Sequence, residues 1–190
     1  GVAQPSREDQ VATAHAITAT ENAWLQAKFD ADGKMDDLEP ARQAVDAHLT
    51  LLITKSFDDY CGLATSVEGI DKGWWARPMA VVGADCSIGR YTVGHELGHT
   101  LGAGHGEVER GGYGDDYTGY GYGHYVEGKW HTVVAYGCET DFCPTINYYS
   151  NPNVSYQGIP TGTALHDNAR VMNDSRFQAA KWNKLKGSGK

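Results

Sequence analysis

Apolar positions recur at roughly helical spacing first near the N-terminus, at Val11, Ala14, Ile17, Trp24 and Ala27. They follow Ser6-Arg7-Glu8-Asp9, which has the form of a capping box. The pattern predicts a long helix over about residues 6–28. Pro40 suits a first helical turn and opens a short helix to about Asp46. Leu49 to Phe57 is rich in apolar and β-forming residues and predicts a buried strand. Gly62 to Val67 predicts a second, shorter strand, and Met79 to Ala84 a third. Trp74 and Trp75 fall in the connection between these two. Neighbours in extended chain point opposite ways, so one is expected to pack and the other to line a groove. The third strand feeds through Cys86 and Gly89 into a helix starting near Arg90. Beyond it the periodicity fades. Gly111 to Tyr125 alternates glycine with tyrosine, carries Asp115 and Asp116, and is too poor in aliphatic residues to build a core. An ordered irregular loop is expected there. Asp174-Ser175 then caps a last helix, with Phe177, Ala180, Lys181 and Trp182 at helical spacing.

The helix near residue 95 carries the chemistry. It reads His95-Glu96-Leu97-Gly98-His99-Thr100-Leu101-Gly102-Ala103-Gly104-His105. Side chains four apart share one helix face, so His95 and His99 can reach one metal ion. Glu96 stands beside the first of them, where a carboxylate can accept a proton from water. Gly102 can adopt positive φ, stop the helix and turn the chain, bringing His105 back as a third nitrogen. Three imidazoles leave one position of a tetrahedral zinc open, which is the arrangement of a catalytic site.

Length, charge and cysteines narrow the setting. The 190 residues suit one domain, taken as 1–186, with an upper half over about 1–102, a lower half over about 103–186 and a flexible tail at 187–190. No apolar run approaches the roughly 18 residues of a membrane helix. No signal peptide is visible at Gly1, as expected of a mature form or a trimmed piece. A net charge of -8 argues against nucleic acid and anionic membranes as partners. The four cysteines form no C-x-x-C pair, and the histidines already account for a metal site. Two disulfides in an oxidising, extracellular compartment are therefore expected. Three pairings are possible; Cys61–Cys86 with Cys138–Cys143 is preferred because the second closes a short Pro-flanked loop, and buried thiols are the alternative. The acidic run places Asp30, Asp32, Gly33, Asp36 and Glu39 at calcium-loop positions three, five, six, nine and twelve. Position one would be Lys28, which cannot ligate calcium, so a solvated acidic turn is the first reading and Ca2+ the second. His124 and His131 read as hydrogen-bonded or surface imidazoles rather than ligands.

The string H-E-x-x-H-x-x-G-x-x-H is present in full and resembles the zinc signature of the metzincin endopeptidases. Trp130 to Gly137 lies where that family places its Met-turn, with Val134 in the methionine position and Tyr136 in the tyrosine position. Tyr136 resembles the switch tyrosine of astacins and serralysins, whose phenol can stabilise the oxyanion; a packed core tyrosine is the alternative. Asn151 to Gly158, Asp167 to Asn173 and Cys61 to Ala64 are similar to segments of the bacterial peptidyl-Asp metalloendopeptidases, which are reprolysin-like. The resemblance covers about residues 45–185. The N-terminal side departs from it: related folds place a β-strand before and after the first long helix, whereas residues 29–47 show no clear strand. Gly106, after the third histidine, does not assign a subfamily.

The resemblance implies an α/β, metzincin-like fold. A small twisted mixed sheet, a backing helix and the zinc helix lie above a cleft, and an irregular lower half ends in a C-terminal helix. It implies a secreted zinc endopeptidase, made with a pro-segment and acting as a monomer on polypeptide. Glu96 would serve as proton acceptor, His95, His99 and His105 as zinc ligands, and Tyr136 as oxyanion partner. Substrate is expected as an extended strand along Leu63, Ala64, Thr65 and Ser66. An acidic residue after the cut is expected from the peptidyl-Asp likeness, with Arg170 as its cation. The other readings are a non-catalytic zinc-containing module that binds peptide, and a zinc amidase acting on cell-wall peptide.

Overall fold

A computed structural model describes residues 38–55, 60–65, 78–87, 90–106, 118–140 and 142–184. The helix expected over 6–28, the calcium-loop candidates Asp30, Asp32, Gly33 and Asp36, Ser66, Trp74, Trp75, Asp115, Asp116 and the tail at 187–190 lie outside these.

The first described element is helix α1, Leu38–Ala44. Its Arg42 is buried and donates to Ala47 O at 2.7 Å and to Trp182 O at 2.8 Å, so one guanidinium ties this helix to the far end of the chain. Strands β1 (Thr50–Thr54), β2 (Gly62–Ala64) and β3 (Met79–Gly83) form one sheet in the order β1-β3-β2. β1 runs parallel to β3 with Leu52 opposite Val81, and β2 runs antiparallel to it with Leu63 opposite Val81. All five residues of β3 are buried, as a central strand covered on both faces requires. β1 and β2 are the edge strands among the described residues, and β2 is the one beside Glu96.

From β3 the chain passes through a four-residue helix α2, Ala84–Ser87, into α3, Thr92–Thr100. Two links hold this corner. Cys61 and Cys86 are joined as a disulfide, and Thr92 Oγ1 donates to Cys86 O at 2.9 Å.

The described residues of the lower half have little regular structure. Two short ribbons, β4 (Tyr125–Val126) with β5 (Trp130–His131) and β6 (Ser155–Tyr156) with β7 (Ile159–Pro160), are joined by irregular chain. Buried hydroxyls supply backbone partners that strands would otherwise provide. Thr132 Oγ1 bridges the N–H and C=O of His124 at 2.9 and 3.0 Å, and Thr161 Oγ1 donates to Asn151 O and Val154 O at 3.1 Å. Cys138 and Cys143 close a small disulfide loop. The last helix, α4, is Asn168–Ala179, followed by a 3-10 turn at Trp182–Lys184.

The start of α4 corrects the sequence reading. Its N-cap is Asp167, whose carboxylate accepts from Arg170 N at 3.0 Å, not Asp174. Asp174 sits inside the helix and accepts from Tyr120 O–H at 2.6 Å, while Ser175 is buried. The residues added at the N-terminal end include Asn168, a poor helix former whose placement rests on bonds to Ser150 and Gly104. The mixed α/β architecture, with its small mixed sheet and helices, agrees with the metzincin-like class.

Candidate metal centre

Helix geometry brings two imidazoles together. His95 and His99 lie one turn apart on α3, with ring centroids 4.6 Å apart. The helix stops at Gly102, whose φ of 91° is open to glycine and strained for other residues. Ala103 N–H returns to Gly98 O at 3.0 Å, and Gly104 N–H reaches across to Gly121 O at 2.7 Å. That cross-link carries His105 to the other two rings. His105 Nε2 lies 3.0 Å from His95 Nε2 and 2.9 Å from His99 Nε2. Among the described residues this is the one group of three metal-ligating side chains.

The donor set fits a metal. His95 Nδ1 is 2.9 Å from Val133 O, and His99 Nδ1 is 2.7 Å from Ala103 O. A carbonyl only accepts, so each Nδ1 carries the hydrogen and each Nε2 presents a lone pair inward. Lone pairs this close repel unless a cation lies between them. Tetrahedral zinc, with nitrogens about 2.0–2.1 Å away, spaces them roughly 3.3 Å apart. Burial lowers the pKa of all three histidines, His99 to about 3 and His105 well below its usual value. The rings are thus neutral near pH 7, as ligands must be.

Glu96 is buried beside His95, under the edge strand. A Cβ added to Gly62 would come within 2.7 Å of Glu96 Oε1, so the carboxylate occupies the space that a side chain at residue 62 would fill. The turn at Thr132–Ala135 lies on the other side of α3. Val134 is fully buried, packs with Ala103, Tyr149 and Met172, and places a methyl 3.0 Å from where a Gly98 Cβ would stand. Glycine at 98 therefore permits the turn to dock close enough for Val133 O to accept from His95. Tyr136 follows the turn. It is not a core residue: it is 61% exposed, lines the cleft and stacks on His105 at 3.8 Å between centroids.

Three buried polar residues hold the loop that carries His105, and the motif does not reveal them. Asn168 Nδ2 donates to Gly104 O at 3.3 Å, and Ser175 Oγ donates to Leu101 O at 2.7 Å. Ser150 Oγ accepts from Asn168 N at 2.9 Å and donates to Tyr122 O at 2.5 Å. Gly123 completes the frame, since a Cβ there would meet Ala135 N and His105 O, each at 2.7 Å. Asn168, Val171 and Ser175 are the buried residues of α4, spaced at i, i+3 and i+7. That stripe was available as a signal, but two of its three members are polar.

The open cleft beside the histidines measures about 800 Å³. Its walls include Gly62, the start of α3, and the segment Phe142–Thr145. His131 lies in the wall with Nε2 2.9 Å from Thr145 Oγ1 and Nδ1 3.1 Å from Thr132 O, so it is hydrogen-bonded as expected. Leu63, Ala64 and Thr65 follow Gly62 along the edge strand and its extension, with buried side chains. Arg170 is not among the residues that line this cleft. Its guanidinium lies 3.9 Å over the Tyr120 ring and its Nε 3.9 Å from Asp174 on the outer side of α4. There its charge is engaged by the Tyr120 ring and by Asp174 on its own helix.

Comparison with known proteins agrees with this geometry. Residues 9–106 match the Reprolysin-like metallopeptidase family M12B. The peptidyl-Asp metalloendopeptidase of Xanthomonas campestris pv. campestris is 35% identical over 153 residues, 78% of this chain and 34% of that protein. A protein of the same name from Stenotrophomonas maltophilia K279a is 36% identical over 154 residues, 78% of this chain and 35% of its own length. One from Pseudomonas fragi is 38% identical over 98 residues, 51% of this chain and 62% of its own length. The chain spans about a third of the length of the first two relatives. No solved structure matches it significantly.

Proposed function

The chain belongs to the reprolysin-like metallopeptidases of family M12B, and from that premise we propose that it is a secreted zinc endopeptidase that cuts polypeptide by Glu96-assisted attack of water. The observation that carries the proposal is the convergence of three Nε2 atoms next to a buried carboxylate, at the wall of an open cleft. His95, His99 and His105 hold the zinc. Zinc bound there supplies Lewis acidity, polarising the scissile carbonyl and lowering the pKa of water to about 7.

The chain's own groups do the rest. Glu96 takes the proton of the attacking water and hands it to the leaving amine; the lid of backbone at Gly62 leaves it little room to turn away. Tyr136, exposed over His105, donates its phenol hydrogen to the oxyanion. Val134 fills the place of the Met-turn methionine beneath the rings. Substrate adds as an extended strand to the edge formed by Gly62–Ala64 and Thr65, where backbone bonds give affinity with little dependence on sequence. The name peptidyl-Asp, borne by relatives at 34 to 38% identity, supports an acidic preference, which we place at the residue after the cut. The two disulfides support a secreted location.

Glu96→Ala tests the assignment, because ligands and base are separate groups. The variant should keep its zinc and lose casein hydrolysis by about 10³-fold or more. Zinc-loaded parent protein that binds unfolded protein without cutting it would leave the binding-module reading in its place.

A further inference from the structure

We propose that Arg90 is the residue that reads the acidic side chain after the cut; this rests on the endopeptidase reading above. Three observations place it there. Arg90 lines the cleft. It precedes His95 by five residues at the entrance to α3, and its Nη1 lies 3.8 Å from Cys61 Sγ. Cys61 in turn precedes Gly62, the residue that covers Glu96.

Strand direction then assigns the side of the cut. A peptide pairing antiparallel with β2 runs against it, so its C-terminal part lies along the N-terminal end of β2. With Glu96 under Gly62, the bond to be cut lies near residue 62. Residues after the cut therefore continue toward Cys61 and Tyr60, and Arg90 stands at that end. The opposite direction of pairing would bring Arg90 to the residues before the cut.

The charges around the cleft agree. Among its described lining residues Arg90 is the one arginine, and none is a lysine. His131 is engaged by Thr145 and by Thr132 O, and burial lowers its pKa. The carboxylate among these residues is Glu96, which faces Gly62. Tyr60, Tyr91, Tyr136 and Phe142, the last 94% exposed, also line the cleft. A bound peptide pressed between these rings excludes water from around the guanidinium, which strengthens a bidentate contact with carboxylate. Phe142 adjoins Cys143 of the second disulfide, and the Glu127 carboxylate accepts from Glu139 N, Thr140 N and Thr140 Oγ1 of the same loop.

The test uses the zinc-loaded protein and peptides identical except for Asp, Asn or Lys after the cut. In the parent, kcat/KM for the Asp peptide should exceed that for the Asn peptide by about tenfold to a hundredfold. Arg90→Ala should bring this ratio close to one, and Arg90→Glu should favour the Lys peptide. Ratios within each variant are read, so a general loss of activity does not imitate the effect. A ratio near one in the parent, or one unchanged in Arg90→Ala, overturns the proposal. Binding of the Asp and Asn peptides to zinc-loaded Glu96→Gln, with and without Arg90→Ala, separates the two readings. An Arg90-dependent preference in binding, in a parent that hydrolyses nothing, removes the endopeptidase reading and keeps Arg90 as the acid reader. Hydrolysis with an acidic preference indifferent to residue 90 does the reverse.

Discussion

The two sides of the cleft are built on different principles. Above it, β1, β3, β2 and α3 satisfy their backbones by regular ladders, and position follows from local geometry. His95, Glu96 and His99 are where they are because they share a helix. Below it, much of the backbone is irregular, and individual side chains carry the bonds that order it: Thr132, Ser150, Thr161, Asn168 and Ser175, all at most 1% exposed. His105 lies on the path between the two sides and is placed by both. Regular structure tolerates change at any one side chain, whereas a frame of single hydrogen bonds depends on each.

Three substitutions probe that contrast, and the largest effect is expected where the halves meet. His105→Ala removes one of three nitrogens. Zinc should be lost in dilute chelator under conditions in which the parent keeps it, and hydrolysis should vanish with it; metal analysis beside a casein assay reads both. Full zinc content would show that another residue supplies the third nitrogen. Gly62→Ala acts on the upper side alone. The new methyl must displace the Glu96 carboxylate, so kcat should fall by about tenfold to a hundredfold while zinc content stays at the parent level. An unchanged kcat would mean that Glu96 has room to work in another rotamer. Asn168→Ala acts on the lower side, far along the chain from any proposed ligand. Losing its buried bond to Gly104 O should cost about 1–3 kcal/mol in urea unfolding. It should also loosen zinc, because Gly104 adjoins His105. A variant as stable as the parent would argue that the lower side is held by packing and not by its polar frame.

The upper side was the legible one. Strands β1 to β3 fall within the runs expected of them, but the burial expected of the first belongs to the third: β1 lies at an edge with Ile53 exposed, whereas all five residues of the central β3 are buried. The helix-borne pair His95 and His99 needed nothing but a period of 3.6. The lower side was less legible. Composition reads the Gly-Tyr segment as an ordered irregular loop but does not show that at Gly123 the chain passes between His105 O and Ala135 N with no room for a Cβ. The last helix begins at Asn168 and not after Asp174, because its first turn is paid for by bonds to Ser150 and Gly104.

By itself the sequence determined the chemistry: three imidazoles, one carboxylate, and a glycine able to reverse the chain after a helix. Those depend on residue types at short, regular separations, and such separations translate directly into distance. What only the tertiary structure decided was which cation faces the cleft. Arg170 sits in the segment that resembles the peptidyl-Asp enzymes, but α4 turns it toward Tyr120 and Asp174. Arg90, inconspicuous in sequence, reaches the cleft because the Cys61–Cys86 link and Thr92 fasten the start of α3 to the edge of the sheet. Which way a charged side chain points depends on contacts between residues tens of positions apart, and no local pattern encodes them.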